Sequence, residues 1–107
     1  MPAMLRLCHV DDVPDQGCKR ISRGRKAALA VFNLDGSYYV LSDRCSHGAA
    51  RLSMGTIRDG KIVCPAHFGS FDIRTGVPVD PPCDTAVACY PVTIRDGAVF
   101  AEIEDAD

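Results

Sequence analysis

The chain has 107 residues and a mass of 11.5 kDa, which is length for one domain with a modest core of its own. Apolar residues at 47% and charged residues at 24% are ordinary globular values and exclude disorder as the default. A formal charge of −2 excludes nucleic acid as a main partner, because phosphate binding needs a net basic surface.

In chain order, the first expected element is a strand over Met4 to Val10. A basic stretch follows, with Lys19, Arg20, Arg23, Arg25 and Lys26 crowded together; it reads either as a solvated loop or as a docking patch for a charged partner. Three Asp-Gly dipeptides then mark hairpin turns, at Asp35-Gly36, Asp59-Gly60 and Asp96-Gly97, each between apolar or β-branched runs. They predict strands over Ala28–Leu34 and Ser37–Leu41, over Gly55–Arg58 and Lys61–Cys64, and over Pro91–Arg95 and Ala98–Ile103. A further strand is expected over Thr85–Tyr90, and Glu102, Glu104, Asp105 and Asp107 form an acidic tail. Almost no segment has a 3.6-residue apolar period, while seven prolines and nine glycines punctuate the chain. The expectation is an all-β, small antiparallel sandwich or barrel, spanning 1–107 as a single domain.

The apolar run Ala27 to Phe32 falls far short of the ~20 residues that a membrane helix needs. The start, Met1 to Arg6, shows no basic stretch leading into an apolar one. No membrane partner is therefore expected, and the location is expected to be cytoplasmic. Six cysteines would mean disulfides in a secreted chain, but metal or redox chemistry in a cytoplasmic one.

Two stretches lack strand alternation, Asp43 to Ala50 and Cys64 to Gly76, and long irregular loops in a compact domain are usually functional. The first contains Cys45-Ser46-His47 and the second Cys64-Pro65-Ala66-His67. Each loop therefore offers one thiolate and one imidazole, and the Asp59-Gly60 turn between them would bring the loops side by side around a metal centre. A Cys2His2 zinc site is one reading of these residue types, although zinc modules usually pair Cys with Cys and His with His. His9 lies outside both loops and reads as a surface residue. Cys8, Cys18, Cys83 and Cys89 read as reduced thiols, with a Cys8–Cys18 disulfide as the alternative.

The sequences from Cys45 to Gly55 and from Cys64 to Gly76 resemble the signature of Rieske [2Fe–2S] proteins, in which two Cys hold one iron and two His the other. Both stretches, with Pro81-Pro82-Cys83 and Tyr90-Pro91-Val92, are similar to the small Rieske ferredoxins that serve bacterial aromatic-ring-hydroxylating oxygenases. The resemblance implies a Rieske fold with a two-loop cluster-binding subdomain at one end. Its loops would span about 43–55 and 64–76, with a proline-containing loop at about 78–83. It implies one [2Fe–2S] cluster, with Cys45 and Cys64 on the buried iron and His47 and His67 on the outer one.

The resemblance further implies an electron carrier with no catalytic site of its own. Its donor would be an NAD(P)H-dependent flavoprotein reductase, and its acceptor a terminal Rieske non-haem iron oxygenase. A monomer is expected. A small subunit of a nitrite-reductase-type complex is the alternative within the same resemblance.

Two ferric ions, two sulfides and two thiolates sum to zero charge, which is why Rieske centres sit at ~ −150 to +300 mV, above plant-type ferredoxins. High-potential respiratory members add a Cys to each loop, a Ser two residues after the second His, and a Tyr four after it. The matching positions here are Ala50, Ala66, Gly69 and Phe71. With fewer donors to the sulfurs, the expected potential lies at the low end. Gly48 and Gly69 are candidates to bring backbone N–H groups to the cluster. Phe68 and Pro82, with Ala49, Ala50, Ala66 and Pro81, would form an apolar collar that docks partners or shields the cluster from water.

Overall fold

The computed structural model describes residues 2–44, 50–65, 69–81 and 85–104. Among these, no helix is long and apolar enough to cross a membrane. The strands are β1 (Pro2–His9), β2 (Gly17–Arg23), β3 (Lys26–Leu34), β4 (Ser37–Ser42), β5 (Thr56–Arg58), β6 (Lys61–Val63), β7 (Ser70–Asp72), β8 (Pro78–Asp80), β9 (Cys89–Tyr90), β10 (Val92–Arg95) and β11 (Ala98–Glu104). They form three antiparallel sheets, ordered β1-β11-β10, β2-β3-β4-β9 and β5-β6-β7-β8. Short 3-10 turns at Val10–Asp12 and Leu52–Met54 are the only helical elements among the described residues.

All three Asp-Gly pairs turn hairpins as expected. In each, both residues have positive φ: 54° and 88° at Asp35-Gly36, 52° and 76° at Asp59-Gly60, 51° and 74° at Asp96-Gly97. This is the twist that a two-residue hairpin loop needs.

The apolar run of β3 is buried on both faces, because its sheet is the middle layer of three. Ala30, Phe32 and Leu34 point into one core with Leu41, Leu52, Ile62, Cys64, Phe71 and Ile73. Leu29 and Val31 point the other way, into a second core with Cys8, Val40, Val99, Ala101 and Ile103. The two-residue alternation thus divides one continuous apolar strand between two cores. The core that holds Cys64 joins the middle sheet to the small β5–β8 sheet, and this second unit carries the loops expected to hold the ligands.

Three expectations need correction. The basic stretch is not a loop; it is β2, with its turn into β3, and Lys19, Arg20, Arg25 and Lys26 are exposed on it. Cys18 and Ile21 pack against opposite cores, so the strand shows no single apolar face. The stretch from Cys64 to Gly76 is not wholly irregular, since β7 lies within it, and β8 follows. Strands of three residues are too short to show a period. The expected strand over Thr85–Tyr90 shrinks to Cys89–Tyr90, and the chain before it acts as a strap: Val87 N–H donates to the Gly76 carbonyl at 3.0 Å, and Ser42 N–H to the Ala88 carbonyl at 2.9 Å.

Candidate metal centre

The first ligand loop springs from a fastened base. Arg44 and Arg51 pair in an antiparallel bridge, Leu52 N–H donates to the Asp43 carbonyl at 2.6 Å, and Asp43 N–H donates to the Ala28 carbonyl of β3 at 3.0 Å. The Asp43 side chain is buried and accepts from Arg20 Nε at 3.1 Å, Ser53 N–H at 2.7 Å and Ser53 Oγ at 3.0 Å. One carboxylate therefore ties β2, the start of the loop and the turn after the loop together, and the ion pair with Arg20 compensates its burial.

The second loop is closed at its neck, where Cys64 N–H donates to the Gly69 carbonyl at 2.7 Å. Gly69 thus presents its carbonyl to the loop's own backbone. Cys64 is completely buried and shares its apolar cluster with Leu52 and Phe71, with Ala50 packed against it. The exit of the first loop and the entry to the second therefore rise from one core. Gly55 permits this closeness: a Cβ there would stand 2.1 Å from the Val63 carbonyl oxygen.

A third segment is pinned beside them. Buried Ser70 donates through Oγ to Asp80 Oδ2 at 2.5 Å, and Lys61 Nζ donates to the same oxygen at 3.1 Å. The Ser70 hydrogen bond first, and Lys61 second, hold the Asp80 carboxyl below the usual range. Pro81, which follows directly, is exposed.

Of the expected ligands, Cys64 is placed at the top of this core, while Cys45, His47 and His67 lie outside the described residues. So do Gly48, Phe68 and Pro82. The chemistry of the expected donor set, two thiolates and two imidazoles, suits a [2Fe–2S] group, and the placement of Cys64 agrees with it. The one placed thiol is fully withdrawn from solvent, hydrogen bonds close both loop bases, and Leu52 and Cys64 share one core.

The other thiols behave differently. Cys8 and Cys18 are free and belong to opposite cores with the middle sheet between them, so no disulfide joins them. Burial, with Asp43 nearby, pushes the Cys18 thiol up to about 12. Cys89 is exposed and donates through Sγ to the Arg74 carbonyl at 3.5 Å. Cys83 lies outside the described residues. His9 caps the first 3-10 turn, accepting from Asp11 N–H at 3.0 Å.

Sequence reasoning missed Asp43, Ser53, Ser70 and Asp80 as the groups that hold the loops. Only the position of Asp43, two residues before Cys45, was a usable signal; the partners are distant in sequence.

The Rieske [2Fe-2S] domain family matches residues 3–91. The ferredoxin component of the p-cumate 2,3-dioxygenase system of Pseudomonas putida is 37% identical over 101 residues, covering 94% of this chain and 86% of that one. The solved Sphingomonas yanoikuyae B1 ferredoxin superposes with a TM-score of 0.90 at 41% identity, over 95% of this chain and all of that one. A chain in the solved complex of reduced oxygenase and oxidised ferredoxin of carbazole 1,9a-dioxygenase gives a TM-score of 0.88 at 33% identity, over 92% of each chain.

Proposed function

The chain belongs to the Rieske [2Fe-2S] domain family, and on that premise we propose that it is a one-electron carrier passing electrons from an NAD(P)H-dependent flavoprotein reductase to a terminal aromatic-ring-hydroxylating oxygenase. Family membership assigns it one Rieske-type cluster and sets the zinc reading aside. In this reading residues 1–107 form a single Rieske domain, Cys45 and Cys64 hold the inner iron, and His47 and His67 hold the outer one. Relatives at 34–37% identity include ferredoxin components of dioxygenase systems, which favours the free carrier over a permanent reductase subunit.

When bound, the cluster supplies a site that takes up and gives back a single electron. The protein keeps its inner side dry with the apolar core around Cys64, Leu52 and Phe71. It also withholds side-chain donors: position 69 is glycine, and position 71 is a phenylalanine buried in that core. Hydrogen bonds to sulfur stabilise the reduced, more negative state, so their scarcity keeps the potential low and makes the electron easy to pass on. In the same reading Phe68 and Pro82, with Ala49, Ala50, Ala66 and Pro81, would form the apolar collar through which partners approach.

The observation that carries this reading is the convergence of both loop bases on the core that buries Cys64. An anaerobic redox titration of the red-brown protein tests it. A one-electron transition near the low end of the Rieske range, about −150 mV, is expected; a strongly positive midpoint would overturn the oxygenase assignment, and a colourless, iron-free protein the whole reading. Gel filtration is expected to recover a free monomer, whereas a stable large complex would favour the nitrite-reductase-type alternative.

A further inference from the structure

Beside the base of the first ligand loop lies a cleft of about 320 Å3. Ala28 and Ala50 line it with short side chains, together with Arg20, Asp43, Arg44 and Arg51. Three arginines face one carboxylate, so the cleft is net positive on a chain whose formal charge is −2. Arg20 and Asp43 pair with one another. Arg44 and Arg51 are exposed, and among the described residues neither guanidinium has a carboxylate partner.

The bridge makes this pair unusual. Arg44 and Arg51 are directly opposite across antiparallel backbone, where like charges repel and cost stability. An anion seated between them removes that repulsion, and paired guanidinium forks suit carboxylate geometry.

We propose that the Arg44–Arg51 cleft is a docking point for carboxylates on an acidic face of the electron acceptor. The inference rests on the reading of this chain as a Rieske carrier with His47 as an outer ligand. Arg44 is three residues before His47 and Arg51 four after it, so their Cα atoms lie within ~11 Å and ~14 Å of it by chain length alone. A transient interface of ~1,200 Å2 in total covers a disc of ~14 Å radius on each partner. An acceptor that covers His47 can therefore reach both arginines, and their charge would then set its orientation and on-rate.

The test is voltammetry of the cluster-loaded chain at two electrodes, one coated with a carboxylate-terminated and one with an ammonium-terminated monolayer. Poised oxidising, the first stands in for an acidic acceptor. Electron exchange is expected to be faster at the carboxylate surface despite the net negative charge, and to slow with added salt. In Arg44→Glu/Arg51→Glu the preference should invert, with the carboxylate rate falling roughly tenfold or more, the scale on which electrostatic steering changes association. Arg44→Gln/Arg51→Gln should abolish the preference without adding charge, which keeps the test open if the Glu pair loads poorly. Exchange confined to the ammonium surface, or a carboxylate preference that survives in the Gln pair, overturns the docking point and leaves the carrier reading intact. A chain that takes up no cluster, with no visible absorbance, overturns both.

Discussion

Asp43 and Gly55 show how single residues, neither of them a ligand, hold a ligand loop. Asp43 satisfies three donors from two other segments while almost fully withdrawn from water. Asp43→Ala leaves those donors unpaired and is expected to cost about 2–4 kcal/mol, a large share of the stability of a small domain. Thermal unfolding of the loaded chain, followed by visible absorbance and circular dichroism together, would measure it; an unchanged midpoint would contradict the role. Gly55 acts by absence of a side chain. Its alanine would meet the Val63 carbonyl at 2.1 Å, so Gly55→Ala should separate the first loop's exit from β6 and lower the iron content per chain. Gly36→Ala is the contrast: φ is +88° but the space is open, so about 1 kcal/mol of strain is expected with iron content preserved.

At the scale of elements, β6, β7 and β8 are each three residues long, too short to be stable alone. The Ser70–Asp80–Lys61 network crosses all three. Because the folded Asp80 carboxyl is held below its ordinary value, its contribution is complete above the unfolded value of about 3.9. It is lost as the pH falls through the folded value. Urea unfolding at pH 6 and at pH 3.5 should show this loss in the wild-type chain and less of it in Asp80→Asn. Equal acid sensitivity in the two would show that the network contributes nothing.

On the scale of the whole molecule, the middle sheet separates two cores, and the thiols report on them. Cys8 is buried in one and Cys18 packs against the other, while Cys89 faces solvent. Raised to about 12, Cys18 is thiolate in roughly one molecule in 10⁴ at pH 8. Alkylation of the native chain with iodoacetamide, mapped by peptide mass, should therefore mark Cys89 ahead of Cys8 and Cys18. Modification of Cys18 as fast as Cys89 would mean that the second core opens readily. The partition also sets the two-loop unit apart from β1, β10 and β11, which pack on the far face.

Turns, strands and ligand types were readable from the amino-acid order because each is a local property. An Asp-Gly pair between β-branched runs adopts positive φ wherever it occurs, and Cys-x-His followed by Cys-x-x-His offers the same donors in any fold. Even the apolar run of β3 was visible, though not the reason for it. That reason is tertiary: only a sheet buried on both faces needs apolar residues at successive positions. The same holds for Arg20, which looked like part of a surface charge cluster until Asp43, 23 residues away, was placed beside it. Charge pairing, the Gly55 contact and the Ser70–Asp80 tie all join residues distant in sequence, and no local pattern encodes a distance across a core.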